Sequence, residues 1–154
     1  MKKIIGLLLC VCIVCSFFTG CFSSGTKKIE EYYNLTKETQ ELLDIVADDI
    51  YNNWHECIYE DAYGENIDLA IALALSANEE NLDTIEQNTT QIKEMYSEIK
   101  ESKLREEIKA VMQAYNEYYS FVVEVSGSFN SYSADKETLK KELATALKNL
   151  SFEL

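Results

Sequence analysis

The chain has 154 residues, with 14 Lys plus Arg against 27 Asp plus Glu, a formal charge of −13, five Gly, five Cys, ten Tyr and no Pro. Such a length holds one domain with a core of its own. The acidic excess excludes the usual electrostatic routes to nucleic acid and to anionic lipid, both of which need a basic surface.

The N-terminus differs in kind from the rest. Residues 1–3 carry Lys2 and Lys3, residues 4–18 are apolar apart from Gly6 and Ser16, and the small pair Thr19-Gly20 precedes Cys21. This is the three-part layout of an export signal. Fifteen apolar residues reach about 22 Å as a helix, short of the roughly 30 Å hydrocarbon core, which argues against a permanent span. Phe18-Thr19-Gly20-Cys21 resembles the lipobox of bacterial lipoprotein precursors, with Phe18 where Leu is commonest. That resemblance implies cleavage between Gly20 and Cys21, diacylglycerol on the Cys21 thiol, and a membrane-anchored extracytoplasmic domain. Two acyl chains hold stably where one holds marginally. Residues 1–20 are then the signal peptide, and residues 21–28, small and polar with Gly25, read as the lipidated cysteine and a flexible tether. Lys27 and Lys28 would lie beside the bilayer and soften its repulsion of an acidic domain. The first twenty residues hold no acid, so 12 Lys plus Arg remain against 27 Asp plus Glu, a balance of −15.

Cys10, Cys12 and Cys15 leave with the signal and Cys21 is lipidated, so Cys57 alone remains and no intramolecular disulfide can form. Its neighbours Trp54 and Ile58 on an apolar stripe predict that the thiol is buried as a small hydrophobe.

The body, residues 29–154, reads as helix throughout. Ile29, Tyr32, Thr36, Thr39, Leu43, Val46, Ile50, Asn53 and Cys57 recur at spacings of three and four, one face of a helix. The helix ends near residues 61–64, where Gly64 can take the left-handed cap conformation. A second stripe, Ile67, Ile71, Ala74, Asn78, Leu82, Ile85, Thr89, Ile92, Tyr96 and Ile99, predicts one continuous helix. Within it residues 69–75 (LAIALAL) are apolar all round, which predicts a central helix approached closely on several sides. The third stripe, Leu104 through Phe129, follows a phase slip of five residues after Ile99, so a turn is expected at residues 100–102 with Ser102 as N-cap. Residues 126–133 (SGSFNSYS) read as a loop and a last helix as starting at Ala134. The expectation is an all-α, antiparallel bundle of about four helices.

Functional signals are sparse. No GxSxG, phosphate loop, HExxH, glycine fingerprint or EF-hand loop occurs, so no catalytic residue, cofactor or metal ligand is assigned. Between Lys37 and Lys93 there are fourteen acids and no Lys or Arg, an uncompensated anionic half. It suits a solvated face or a cationic partner. Tyr51, His55, Tyr59 and Tyr63 recur at i+4, drifting about 40° per step, and form a tyrosine-bearing recognition face. His55 is the single histidine. Asn52 stands three positions before it, where a di-iron bundle would place Glu, which leaves only a metal-handling alternative built from His55 and nearby carboxylates.

The leading reading is a non-catalytic binding or adaptor module for a protein or cationic partner, tethered by diacylglyceryl-Cys21 and without a nucleic-acid role. An immunity-type protective lipoprotein is the other alternative. The layout of a helical, acidic, tyrosine-rich domain with the SGSFNSYS loop also resembles small Gram-positive lipoproteins of unassigned role.

Overall fold

The structure is a computed structural model that describes residues 25–99 and 103–154. Residues 1–20, the Gly20-Cys21 junction and the turn expected at 100–102 lie outside the described residues. Five α-helices and one 3-10 turn follow: α1 (Gly25–Tyr59), the 3-10 turn (Ala62–Glu65), α2 (Ile67–Ala77), α3 (Glu79–Glu98), α4 (Arg105–Val123) and α5 (Phe129–Ser151). Among the described residues there is no strand.

Long-range side-chain bonds give the direction of every helix against α1. Asn53 Nδ2 donates to Ala70 O, Asn78 Nδ2 to Asp49, and Asn88 Nδ2 to Thr39 Oγ1, so α2 and α3 run down α1 as its own numbers fall. Tyr32 reaches Ile108 and Tyr118 reaches Asp44, so α4 runs parallel to α1. Lys136 meets Asp48 and Lys140 meets Asp44, so α5 runs back down. The result is an up-down-up-down bundle whose second rod is broken. The all-α antiparallel expectation holds, with five helices among the described residues where about four were expected.

Helix α1 is the element on which the others pack. Its buried residues include Ile29, Tyr32, Thr36, Thr39, Leu43, Val46, Ile50, Trp54 and Cys57, nearly the whole stripe read from the sequence. The two threonines lose no hydrogen bond in the core, because Thr36 donates to Tyr32 O and Thr39 to Leu35 O, each at 2.7 Å. Asn53 leaves the stripe for its bond to α2. The helix also starts earlier than expected: residues 25–28, read as tether, form its first turn, with Lys28 Nζ 2.9 Å from Glu98 Oε2.

The break between α2 and α3 comes from Asn78. It sits on the stripe and is buried, but its amide donates to Asp49 Oδ2 at 2.8 Å and to Ala74 O at 3.0 Å while its Oδ1 accepts from Asn81 at 2.8 Å. A side chain so occupied cannot serve as an apolar contact, and at φ −105°, ψ 19° the backbone leaves α geometry.

Residues 69–75 are not central. Ala70 and Ala74 close against α1, while Leu69 and Leu73 stay 44% and 45% exposed. The alanines are small because α2 lies close to α1 on that side alone; the leucines face outward. The last helix starts five residues before Ala134. Ser128 is its N-cap, with Ser131 N donating to Ser128 Oγ at 3.2 Å and Ser128 N to Ser131 Oγ at 2.9 Å, a capping box closed by serine instead of Glu or Gln. The turn expected at 100–102 is flanked by Glu98 at the end of α3 and Arg105 at the start of α4; the N-cap position of α4 is Leu104, not Ser102.

No helix among the described residues is long and apolar enough to cross a membrane.

Candidate recognition surface

Three members of the predicted face come together. Tyr51, His55 and Tyr59 lie one turn apart at the C-terminal end of α1, with ring centroids 6.1 Å apart for Tyr51 and His55 and 4.7 Å for His55 and Tyr59. Phe129, the first residue of α5, completes the group. Its ring is stacked on Tyr51 at 5.2 Å and stands 6.0 Å from both His55 and Tyr59. Lys136 Nζ lies 4.6 Å from the centre of the Tyr51 ring, in cation–π range. Beneath the ledge, Trp54 meets Phe129 edge-on at 6.0 Å and Tyr132 at 5.5 Å, which ties the half-buried rings Tyr51, His55 and Phe129 to the core. Tyr59, 62% exposed, is the outermost member.

Tyr63 does not join them. The i+4 series assumes that α1 continues, but the helix stops at Tyr59 and Asp61, Tyr63, Gly64 and Glu65 all take left-handed backbone angles. Gly64 is therefore one of four such residues and Asp61 is the first, so the chain turns away before the next step of the series. The Tyr63 hydroxyl donates to Glu56 Oε2 at 3.2 Å instead.

Four other tyrosines belong to the core. Tyr32, Tyr115, Tyr118 and Tyr132 are buried, and each hydroxyl has a protein partner: Ile108 O at 3.3 Å, Thr89 Oγ1 at 2.6 Å, Asp44 Oδ1 at 2.7 Å and Ala47 O at 3.2 Å. Burial raises all four phenols above their usual range, that of Tyr115 to about 12. The hydrogen bond to Asp44 and its charge raise Tyr118 further.

The anionic half is compensated at one edge. Lys136 Nζ lies 2.5 Å from Asp48 Oδ1, and Lys140 Nζ lies 3.1 Å from Asp44 Oδ2. Burial alone would lower the Lys136 pKa, but Asp48 and Glu137 hold it above the ordinary lysine value. These cations enter from α5, beyond the reach of any local count. Among the described residues no other acid in 38–86 forms an ion pair with lysine or arginine.

Cys57 is buried and free, as its stripe position predicted. His55 is surrounded by rings, and among the described residues no three His, Cys, Asp or Glu side chains converge as a metal site. Phe129, expected as the last position of the third stripe, opens α5 instead, and neither it nor Lys136 is assigned to this face by the sequence. Ser128 and Ser131, spaced as a capping box, are the signal that could have placed Phe129 at a helix start. The chain matches no protein-family model, no curated protein and no solved structure.

Proposed function

We propose that this chain is a membrane-anchored extracytoplasmic lipoprotein of bacteria, tethered through diacylglyceryl-Cys21, and that its helical domain is a non-catalytic binding or adaptor module. The observation that carries the reading is the placement of the aromatic ledge relative to the lipobox. Cys21 stands four residues before Gly25, the start of α1, while Tyr51, His55 and Tyr59 occupy the other end of that helix. At 1.5 Å per residue, the rise of α1 from Gly25 to these three side chains is about 40 to 50 Å. A lipid at one end and a partly exposed aromatic group on a rigid backing at the other suits a domain that presents its far end to a partner. Rings of this kind supply large contact area with little rotamer entropy to lose.

The test has two arms. Cys21→Ala should abolish incorporation of labelled palmitate and leave an unprocessed precursor; normal processing and labelling of that variant would refute the anchor. In the second arm, site-directed photocrosslinking from position 59 of the full chain in cells should give a discrete adduct that weakens when Tyr51 and His55 are both replaced by Ala. An adduct pattern identical to that obtained from an exposed control position on α5, such as Thr138, would refute the ledge.

A further inference from the structure

The bundle has a second unpartnered surface, on the outer flank of the α1/α2 pair. Taking the bond from Asn53 to Ala70 as the line of contact, a 100° advance per residue puts Ile45, Asn52 and Glu56 on one flank of α1 and the core residues Ile50, Trp54 and Cys57 on the other. On α2, which runs the opposite way, the same construction puts Ile71 and Leu75 on the core side and Leu69 and Leu73 on the outer side. Burial agrees: Ile71 and Leu75 pack against the core, whereas Ile45, Leu69 and Leu73 are 47%, 44% and 45% exposed. Level with Asn53, the rise of each helix places Leu69 beside Asn52 and Glu56, and Leu73 one turn further toward Ile45. Three large aliphatic side chains from two helices therefore share one shallow face.

The charge around this face has one sign. Asp49 and Glu56 lie on its α1 side, and neither forms an ion pair with a lysine or arginine among the described residues. The lysines of α5 serve Asp44 and Asp48 on the edge of α1 that turns toward α5. Asp49 Oδ2 holds Asn78, which fixes where α2 ends, so the acidic side of the face is rigid.

We propose that this face docks a cationic amphipathic helix, its apolar stripe seated on Ile45, Leu69 and Leu73 and its basic flank against Asp49 and Glu56. Charge complementarity selects this occupant. A second copy of the chain would bring the same acids against themselves, and an anionic bilayer would be repelled in the same way. The sequence-distant apolar segment at residues 4–18 contains no basic residue to meet the acids. An amphipathic helix presents anchors at i, i+3 and i+4, which suits aliphatic side chains one turn apart.

The inference rests on the binding-module reading for its premise that the ligand is a macromolecule, but its test does not use the lipid. The full chain, reconstituted in phosphatidylcholine vesicles, is titrated with a fluorescent 18-residue Leu/Lys amphipathic helix and with its Leu/Glu counterpart, and signal from protein-free vesicles is subtracted. The Leu/Lys helix should bind, weaken with added salt, and bind about tenfold or more weakly to the double variant Leu69→Gln, Leu73→Gln, whose exposed positions leave the core intact. A photoreactive residue at position 73 should crosslink to the same peptide. Equal binding by the double variant, equal binding of the Leu/Glu helix, or crosslinks from position 73 only to a second copy of the chain would each overturn the proposal. Failure of the binding-module reading is read separately: it leaves the cellular photocrosslinks without specificity whatever the peptide does.

Discussion

The hydroxyl of Tyr118 on α4 donates to Asp44 Oδ1 on α1 at 2.7 Å, and Lys140 on α5 reaches the other oxygen of the same carboxylate at 3.1 Å. One side chain thus joins three helices separated by up to 96 positions. Tyr118 is fully buried, whereas the Asp44 side chain keeps 21% exposure. The phenol therefore depends on the carboxylate more than the carboxylate depends on the phenol. Tyr118→Phe removes the donor and its desolvation together, and water can replace it at Asp44. Asp44→Ala leaves a buried hydroxyl without an acceptor and Lys140 without its anion.

It follows that Asp44→Ala should lower unfolding stability by about 2 kcal/mol and Tyr118→Phe by about 1 kcal/mol. Urea unfolding of both variants checks the order. A larger loss for Tyr118→Phe than for Asp44→Ala would show that the bond is not oriented as described.

Alkaline pH tests the buried phenols as a group. Tyr32, Tyr115, Tyr118 and Tyr132 are all raised from 10.0, by burial first, and Tyr115 titrates at about 12. Above pH 10 the unfolded chain releases protons that the folded chain still holds. Their contribution is therefore intact below pH 10 and is lost as pH rises toward the folded values. With four groups the stability should fall by about 5 kcal/mol per pH unit across that window. Thermal unfolding at several pH values between about 9 and 12 reads the slope, and Tyr132→Phe should reduce it by roughly a quarter. A melting temperature that is flat through pH 11 would contradict the burial of these hydroxyls.

What could be read ahead of the structure follows from the range of each interaction. The stripe of α1 needs only residues three and four apart, so Ile29, Leu43, Val46, Ile50 and Cys57 were placed correctly. Asn78 kept the spacing of the stripe but not its chemistry, because its partner Asp49 lies on another helix. Leu69 and Leu73 look as apolar as any core residue; only the packing of Ala70 and Ala74 against α1 shows which side of α2 is covered. Tyr51, His55 and Tyr59 are neighbours along one helix and were legible as a face. Phe129 and Lys136 reach that face from α5 through tertiary packing, which no local pattern encodes. Tyr63 fails because the end of α1 is set by left-handed residues from Asp61 onward, one step before the series would continue.

Replacement of Asn78 probes the helix break. In Asn78→Ala the acceptors Asp49 Oδ2 and Ala74 O lose a donor at 2.8 and 3.0 Å, and Asn81 loses its acceptor at 2.8 Å. Alanine is also the better helix former, which favours fusion of α2 with α3. Stability should fall by about 2 kcal/mol while far-ultraviolet helicity stays equal or rises. A fall in both would place the role of Asn78 in helix formation instead of in docking α2 on α1.

The start of α5 gives the last test. Gly127 has φ +90°, and a Cβ added there would stand 2.8 Å from Ser131 Oγ, the atom that accepts the Ser128 N–H at 2.9 Å. Gly127→Ala thus combines left-handed strain with damage to the capping box, a loss of about 2 kcal/mol, and Ser128→Ala should cost about 1 kcal/mol. Ser131→Ala removes the atom that clashes, so the double variant Gly127→Ala, Ser131→Ala should lose less than the sum of its singles. Phe129 directly follows the cap and is stacked on Tyr51, so loosening the box also loosens the ledge. Near-ultraviolet circular dichroism should therefore weaken in Gly127→Ala under conditions where the helix content is unchanged. Additive losses with an unaltered aromatic signal would mean that the cap and the ledge are independent.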